Sequence, residues 1–454
     1  MRDMVQQQDM MSRRQCLSTL GRATAAVAAA PLIGHDIAPA ARPPNVVLIL
    51  SDDQGSTDLG CYGARDLHTP ALDGLAADGL RFTQCYVNAP ACMPSRAALL
   101  TGRHFIRCLG PDGLRGDEVT IAEMLHGAGY RTACFGKWHL GHPEAMEPLS
   151  QGFDEFLGFK VGAMDNYSHF FYYGGPDRHV LRRNREPHRE DGVYFPDIVT
   201  RQSMRFIDDN RQTPFFLYLP LNQPHYPMQP EERHLERFQH IDNVARRYHA
   251  ASLTSMDERI GQVLQHLETR GLRDDTIVLF LSDHGHSQEE RAFGGGGRSA
   301  PFTGGKGTLR EGGIRVPFIL SAPGRLPSGQ VREQAVTSLD LLPTIAHLTG
   351  ASLPTSEMDG VNLATVLSSG AAPSPHPQLH WVYGNNWVVR EAHWKILGDV
   401  SDDSLALYDV SHDPGEQHDV SAQNRDVTSY LIGRHNEWIR ETMQEASANG
   451  YGSP

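Results

Sequence analysis

Apolar residues recur along the chain in short unbroken runs that end at polar ones. Such runs occupy Asn45–Leu50, Leu80–Val87, Arg131–Phe135, Pro214–Leu219, Thr276–Leu281 and Phe318–Ser321. A run of this length without alternation fits a strand buried on both faces, as in a parallel sheet covered by helices. Helical spacing appears between the runs. Thr69 caps a helix that starts at Pro70, faces inward with Leu72, Leu75 and Ala76, and stops at Gly79. A longer helix from Val244 to about Arg270 carries the stripe Val244, Tyr248, Met256, Ile260, Val263, Leu264 and Leu267, and a capped helix spans 338–350. The alternation predicts a large α/β domain over residues 41–372. From about Pro373 the pattern changes to short strands at Leu379–Tyr383, Trp387–Arg390, Trp394–Leu397 and Leu405–Val410, then a helix from Val427 to about Ala446. Residues 373–454 therefore read as a smaller α+β subdomain of antiparallel strands plus one helix.

Residues 160–195 break both periods. They carry Tyr167, Phe170, Phe171, Tyr172 and Tyr173, then Arg178, Arg182, Arg183, Arg185 and Arg189. This is expected to be an insertion loop on the active-site side, with the arginines available to an anionic substrate.

Composition narrows the class. The 454 residues are 39% hydrophobic and 21% charged, ordinary for a globular chain. The formal net charge of −13 argues against general nucleic-acid binding, although it leaves room for a locally basic cleft. The chain has no apolar run of about 18 residues, so no membrane-spanning helix is expected. Six cysteines without a C-x-x-C pair exclude a disulfide scaffold and a thiolate zinc site. Ser12-Arg13-Arg14-Gln15-Cys16-Leu17, an Ala-rich run and Ala38-Pro39-Ala40 together resemble a twin-arginine export signal over residues 1–40. An exported, periplasmic or extracellular, bacterial protein follows from that resemblance.

The chemistry gathers where the strands end. Four runs each release a polar candidate: Asp52 and Asp53; Lys137 and His139, on a glycine-flanked loop expected to expose them; His225; and Asp283 and His284. Ligands of open α/β sheets bind outside the carboxyl ends of strands, so one shared site accounts for all four. Adjacent carboxylates repel unless a cation lies between them. The set Asp52, Asp53, Asp283 and His284 favours calcium or magnesium, while the imidazole leaves zinc or manganese open. The Gly-rich stretch around Gly304-Gly305-Lys306-Gly307-Thr308 is not a P-loop, because Gly307 stands where Ser or Thr must meet magnesium.

The most particular stretch is Cys92-Met93-Pro94-Ser95-Arg96, continuing to Leu100-Thr101-Gly102-Arg103. It predicts a helix of about two turns, with Cys92 at the N-terminus and Arg96 one turn on along the same face. The run C-x-P-S-R-x-x-x-L-T-G resembles the signature of type I, formylglycine-dependent sulfatases of the alkaline phosphatase superfamily. Further resemblances lie in Gly136-Lys137-Trp138-His139-Leu140-Gly141, in Glu311-Gly312-Gly313-Ile314-Arg315-Val316-Pro317 and in Leu407–Val410. The resemblance implies a large mixed, mostly parallel sheet sandwiched by helices. It implies a sulfatase that cleaves a sulfate ester through a formylglycine hydrate made from Cys92 by a formylglycine-generating enzyme. It further implies calcium, rather than magnesium or manganese, held by Asp52, Asp53, Asp283, His284 and residue 92. Arg96 and Lys137 would stabilise the hydrate, Lys306 and His225 would bind sulfate and protonate the leaving alcohol, and His139 would be the base that releases sulfate. A sulfated carbohydrate is the expected substrate. Two alternatives remain: a phosphonate or phosphodiester hydrolase on the same fold, and a non-catalytic carbohydrate-binding relative if Cys92 stays unmodified.

Overall fold

The computed structural model describes residues 42–173, 178–292 and 294–448. The export signal expected over residues 1–40 lies outside them. Seven strands form the body of an eleven-stranded sheet: β1 (Asn45–Asp52), β2 (Leu80–Tyr86), β3 (Arg131–Lys137), β4 (Glu155–Phe159), β5 (Phe215–Pro224), β6 (Thr276–Ser282) and β7 (Arg315–Ser321). Their order across the sheet is β4-β3-β5-β1-β6-β7-β2. From β4 to β6 every pairing is parallel, with Leu48 of β1 opposite Tyr218 of β5 and Leu279 of β6. β7 runs antiparallel to both β6 and β2. The expected mixed, mostly parallel sheet is the one observed.

Both faces of β1, β5 and β6 are covered, which is why these strands read as continuous apolar runs. Helices α1 (Pro70–Ala77), α2 (Cys92–Thr101), α3 (Phe195–Asp209), α4 (Val244–Thr269) and α5 (Leu341–Thr349) supply the cover. On one face Val46, Leu48, Leu50, Tyr218 and Leu279 pack with Leu99 and Leu100 of α2 and Leu342 and Ile345 of α5. On the other, Val47, Ile49, Leu217 and Phe280 pack with Leu72 of α1, Phe206 of α3 and Met256, Ile260, Val263 and Leu267 of α4. Each such fully buried side chain contributes about 1.5–3 kcal/mol of transfer free energy. The first turns of α4 differ from expectation: Val244 is 60% and Tyr248 38% exposed, and Arg246, His249, Ala250 and Leu253 are the residues that face inward there.

Thr69 does not cap α1 with its side chain. Its hydroxyl instead accepts from the Gly60 N–H at 3.0 Å. The helix start is capped by Asp257 of α4, which accepts from the backbone N–H groups of Ala71 and Leu72, each at 2.9 Å.

The described residues of 160–195 are more regular than an insertion loop. Arg182–Arg183 pairs antiparallel with β4 and Glu186–Pro187 pairs with it in turn, extending the large sheet by two short edge strands. Phe170–Phe171 pairs with Arg178–His179 as a separate ribbon.

Toward the C-terminus, β8 (Gln378–Tyr383), β9 (Asn386–Glu391), β10 (Trp394–Asp399) and β11 (Leu405–Asp409) form a consecutive antiparallel sheet, followed by α6 (Arg425–Ala448). Val389, Ile396, Leu407 and Leu431 make its own small core, whereas Leu379, Trp381 and Val388 join the main one. Lys395, fully buried on β10, lies 2.9 Å from both Glu311 and Glu416. This ion cluster ties the small sheet to the segment that follows Lys306.

Candidate active site

The strands that end in polar candidates, β3, β5, β1 and β6, are neighbours in that order and all run in the same direction. Their last residues therefore emerge side by side. Asp52 closes β1, and Asp53 follows with φ 65, a left-handed conformation that costs energy for a non-glycine residue. The turn aims the Asp53 N–H at Asp283 Oδ1, 3.2 Å away, locking the ends of β1 and β6 together. Lys137 closes β3. Contrary to the exposed loop expected of it, the residue is fully buried, because it is the last strand position rather than a loop residue. Gly136 before it has φ 139, and a Cβ there would sit 2.0 Å from the Pro220 carbonyl, so only glycine lets β3 approach β5 this closely.

Helix α2 brings the remaining groups from one side. Cys92 is its first residue, and its sulfur is 3.2 Å from His284 Nε2 and 3.7 Å from Asp52 Oδ1. One turn on, Arg96 donates to Asp283 Oδ2 through Nε at 3.0 Å and Nη2 at 2.8 Å, and Nη2 lies 3.2 Å from Asp52. Ser95 donates to the Asp283 carbonyl. Gly102, with φ 66, ends the helix in the left-handed conformation glycine permits. Opposite α2, the Gly-rich stretch delivers Lys306, whose ammonium is 2.9 Å from Asp53 Oδ1 and 3.4 Å from His225 Nε2.

Asp52, Asp53 and Asp283 face Arg96, Lys137 and Lys306, and all but Lys306 are essentially inaccessible to water. Burial alone pushes Asp52 up, but Lys137, 2.7 Å away, and its other cationic neighbours hold it well below the usual carboxylate range. For Asp283 burial prevails over His284 and Arg96, and the carboxyl rises to about 6. Burial pushes the Cys92 thiol up, yet Lys137 and Lys306 outweigh it and draw the group down to about 6. His139 goes the other way: burial, then Lys137 and Arg96, push it to about 3, so the imidazole is neutral near pH 7. Its φ of 55 is again left-handed, and its Nδ1 is buried without a hydrogen-bond partner among the described residues.

Two imidazoles turn Nε2 toward the cluster. His284 Nδ1 lies 2.9 Å from the Gly285 carbonyl and His225 Nδ1 lies 2.6 Å from that of Tyr226. An Nδ1–H donated to those carbonyls leaves Nε2 as the atom free to ligate. Burial pushes His284 down, but Asp283 and Cys92 outweigh it and raise the imidazole to about 9, so its Nε2 holds a proton that a cation would displace. The ligand atoms of Asp52, Cys92, Asp283 and His284 lie within 4.8 Å of one another, as do those of Asp52, Asp53, Cys92 and His225. Hard carboxylate oxygens with one imidazole fit a divalent cation. The structure thus collects Asp52, Asp53, Cys92, Arg96, Lys137, His225, Asp283, His284 and Lys306 in one contact network. His139 borders it two residues past Lys137. Sequence reasoning missed Glu289, 3.4 Å from the Lys306 ammonium, and Tyr226, whose ring lies 5.8 Å from it. Neither stands in a motif, and only tertiary proximity identifies them.

Comparisons with known proteins point to one family. The profile of the Sulfatase family matches residues 44–351, and the one described as N-sulphoglucosamine sulphohydrolase, C-terminal, matches residues 305–440. Arylsulfatase A of Homo sapiens is 37% identical over 436 residues, 84% of each chain. N-acetylgalactosamine-6-sulfatase of Mus musculus is 34% identical over 364 residues, 74% of this chain and 69% of its own. A crystal structure of Ps i-CgsB in complex with k-i-k-neocarrahexaose superposes with a TM-score of 0.80 at 30% identity, covering 87% of this chain and 93% of that one.

Proposed function

The chain belongs to the sulfatase family, whose members are sulfuric ester hydrolases, and from that premise we propose a sulfatase that acts on a sulfated carbohydrate through a formylglycine made from Cys92. The observation that carries the reading is the convergence of Cys92, three aspartates and three cations at the ends of four adjacent parallel strands. Sequence resemblance alone could have left these residues dispersed.

In this reading Asp52, Asp53, Asp283 and His284, with residue 92, would hold calcium, which would supply positive charge to sulfate oxygens. Residue 92, once oxidised to formylglycine and hydrated, would offer one hydroxyl as the nucleophile for sulfur and a second from which sulfate is expelled. Arg96, fixed to Asp283 and Asp52 at 2.8 and 3.2 Å, keeps positive charge beside residue 92. Lys137 does the same from β3 through Asp52. Lys306 meets the sulfate anion from the opposite side, in place of part of its contact with Asp53. His225, its Nδ1–H kept on the Tyr226 carbonyl, gives a proton to the departing alcohol oxygen from Nε2 when the ring carries a proton on both nitrogens. His139, kept neutral by burial, accepts the proton as sulfate leaves.

A carbohydrate substrate is supported by the oligosaccharide complex of the 30% identical relative. It is also supported by a cavity of about 330 Å³ that begins one residue past Lys306, lined by Thr308, Arg310, Tyr383, Asn386, Asp399 and Ser404. Such a mixed lining of hydroxyl, amide, carboxylate and aromatic groups suits sugar hydroxyls. The test pairs mass spectrometry of the residue 92 peptide with turnover of sulfated oligosaccharides, small aryl sulfates and matched phosphate and phosphonate esters. Aldehyde at position 92 and preference for a sulfated sugar are expected. Full activity with only thiol at Cys92 would overturn the nucleophile, and faster phosphonate turnover would overturn the substrate.

A further inference from the structure

We propose that His169, His179 and Asp191 form a second, zinc-type metal site, separate from the carboxylate cluster and independent of the function proposed above. Each offers one ligand atom, and these atoms lie within 4.8 Å of one another. A zinc ion takes nitrogen and oxygen ligands at about 2.0–2.2 Å, so modest side-chain rotations close the set around it.

The surroundings of each ligand are built for the purpose. His169 is wholly buried, with its Nε2 3.1 Å from the Val193 carbonyl. An Nε2–H donated there leaves Nδ1 as the lone-pair nitrogen, and this atom is buried with no hydrogen-bond partner among the described residues. A buried nitrogen without a partner forfeits its hydration for nothing, which a metal would repair. Asp191 divides its oxygens: Oδ1 lies 3.1 Å from His179 Nε2, and Oδ2 lies 3.4 Å from the Arg189 guanidinium. A backbone carbonyl behind one imidazole and a cation on the carboxylate's far oxygen are the outer partners that orient metal ligands. Burial pushes both His169 and His179 down, keeping the rings neutral and able to ligate.

The contrast with another candidate cluster is instructive. Glu231, His234 and Glu258 also approach one another, but Arg233 and Arg259 already pair with both carboxylates, so that group has its cations. At Asp191 the single arginine occupies only one oxygen. The three ligands come from three separate places along one segment, the end of one turn, a two-residue strand and a loop. A metal clip there closes the loops and fixes the segment as a unit. Tyr173 of that segment meets Tyr226 with ring centroids 5.3 Å apart, so the clip would also steady one border of the active site.

The test uses the full-length protein, stripped with a chelator and titrated with Zn²⁺ against a chromogenic competitor. Because the active-site cluster can also hold zinc, the otherwise unaltered chain is compared with its Asp191→Asn and His179→Gln variants, and each bound equivalent is followed separately. One equivalent should weaken about 100-fold or more with either substitution, beyond the ~10–100-fold of an outer-partner change, while zinc bound at the carboxylate cluster is retained. Binding unchanged by either substitution would overturn the site. Should the substitutions impair folding, trypsin cleavage in the 182–189 stretch of the unaltered chain gives a second reading. Zinc should slow that cleavage, and equal rates with and without zinc would equally overturn the proposal.

Discussion

At the scale of single residues, the aspartates are held by cations of the protein as well as by any metal. Asp52 is the clearest case, with Lys137 at 2.7 Å and Arg96 at 3.2 Å and no access to water. A carboxylate gathered only for an ion would be a liability without it, and removing one would cost little or even help. Here removal leaves Lys137 buried beside an empty position. Asp52→Ala should therefore destabilise the fold by about 3–5 kcal/mol, the range for breaking a buried pair, besides lowering divalent-metal content. Urea unfolding and elemental analysis check this, and an unchanged midpoint would refute the pairing argument. A second residue-scale prediction concerns Gly162. A Cβ there would lie 3.1 Å from His139 Cε1 and 3.2 Å from Nε2, close enough to displace the ring by a few tenths of an ångström. Gly162→Ala should lower kcat by roughly 10-fold or more while KM and unfolding change little, since small displacements of a catalytic group are costly. A kcat equal to that of the unaltered enzyme would remove His139 from the chemistry.

At the scale of elements, α6 docks through histidines kept neutral. His380 stacks on Trp438 at 4.8 Å, His435 on Trp387 at 4.2 Å, and His104 meets Trp438 edge-on. Burial, as the leading cause, pushes His104 and His380 down to about 3 and His435 to about 4. In the unfolded chain each would titrate near the ordinary value of about 6.5. Below that pH the unfolded state binds protons the folded state refuses. The folded form consequently loses stability as pH falls from about 6.5 toward 4, and gains nothing from these groups above 6.5. The expected observation is a urea midpoint, followed by tryptophan fluorescence, that drops between pH 7 and pH 5. Substituting His380 and His435 together by Phe should flatten that drop, and an identical drop in the double variant would sink the account.

At the scale of the whole molecule, the net charge of −13 should repel a polyanionic substrate unless basic groups draw it in. The arginines of residues 178–189 looked suited to that task, but the fold has largely engaged them. Arg182 donates to the Arg185 carbonyl, Arg183 to Gln202 at 3.2 Å, Arg185 approaches Glu147 at 3.3 Å, and Arg189 is beside Asp191. Their forks hold the edge strands in place. Replacing Arg183 and Arg185 by Gln should then reduce stability and change kcat/KM equally for a small aryl sulfate and a multiply sulfated oligosaccharide. A selective rise in KM for the oligosaccharide would restore the arginines to substrate binding.

The sequence by itself marked six of the seven main strands of the large sheet, β4 and the short edge strands excepted, the four strands of the small C-terminal sheet, and most of the polar residues that the fold gathers at the strand ends. The reason is that each depends on local signals: unbroken apolar runs mark strands covered on both sides, and polar residues at their ends mark the edge where ligands bind. The signature at Cys92 is likewise contiguous. What only the tertiary structure decided depends on partners distant in sequence. Asp257 caps α1 from 185 residues away while Thr69 turns elsewhere. Lys137 is buried because β3 runs on to it between β4 and β5, and the edge arginines are engaged because short strands extend β4. The ion cluster of Glu311, Lys395 and Glu416 has no periodicity at all, since its members come from a short helix, a strand and the tail. A charged residue reads as solvated from sequence, and only the fold shows which opposite charge is waiting for it.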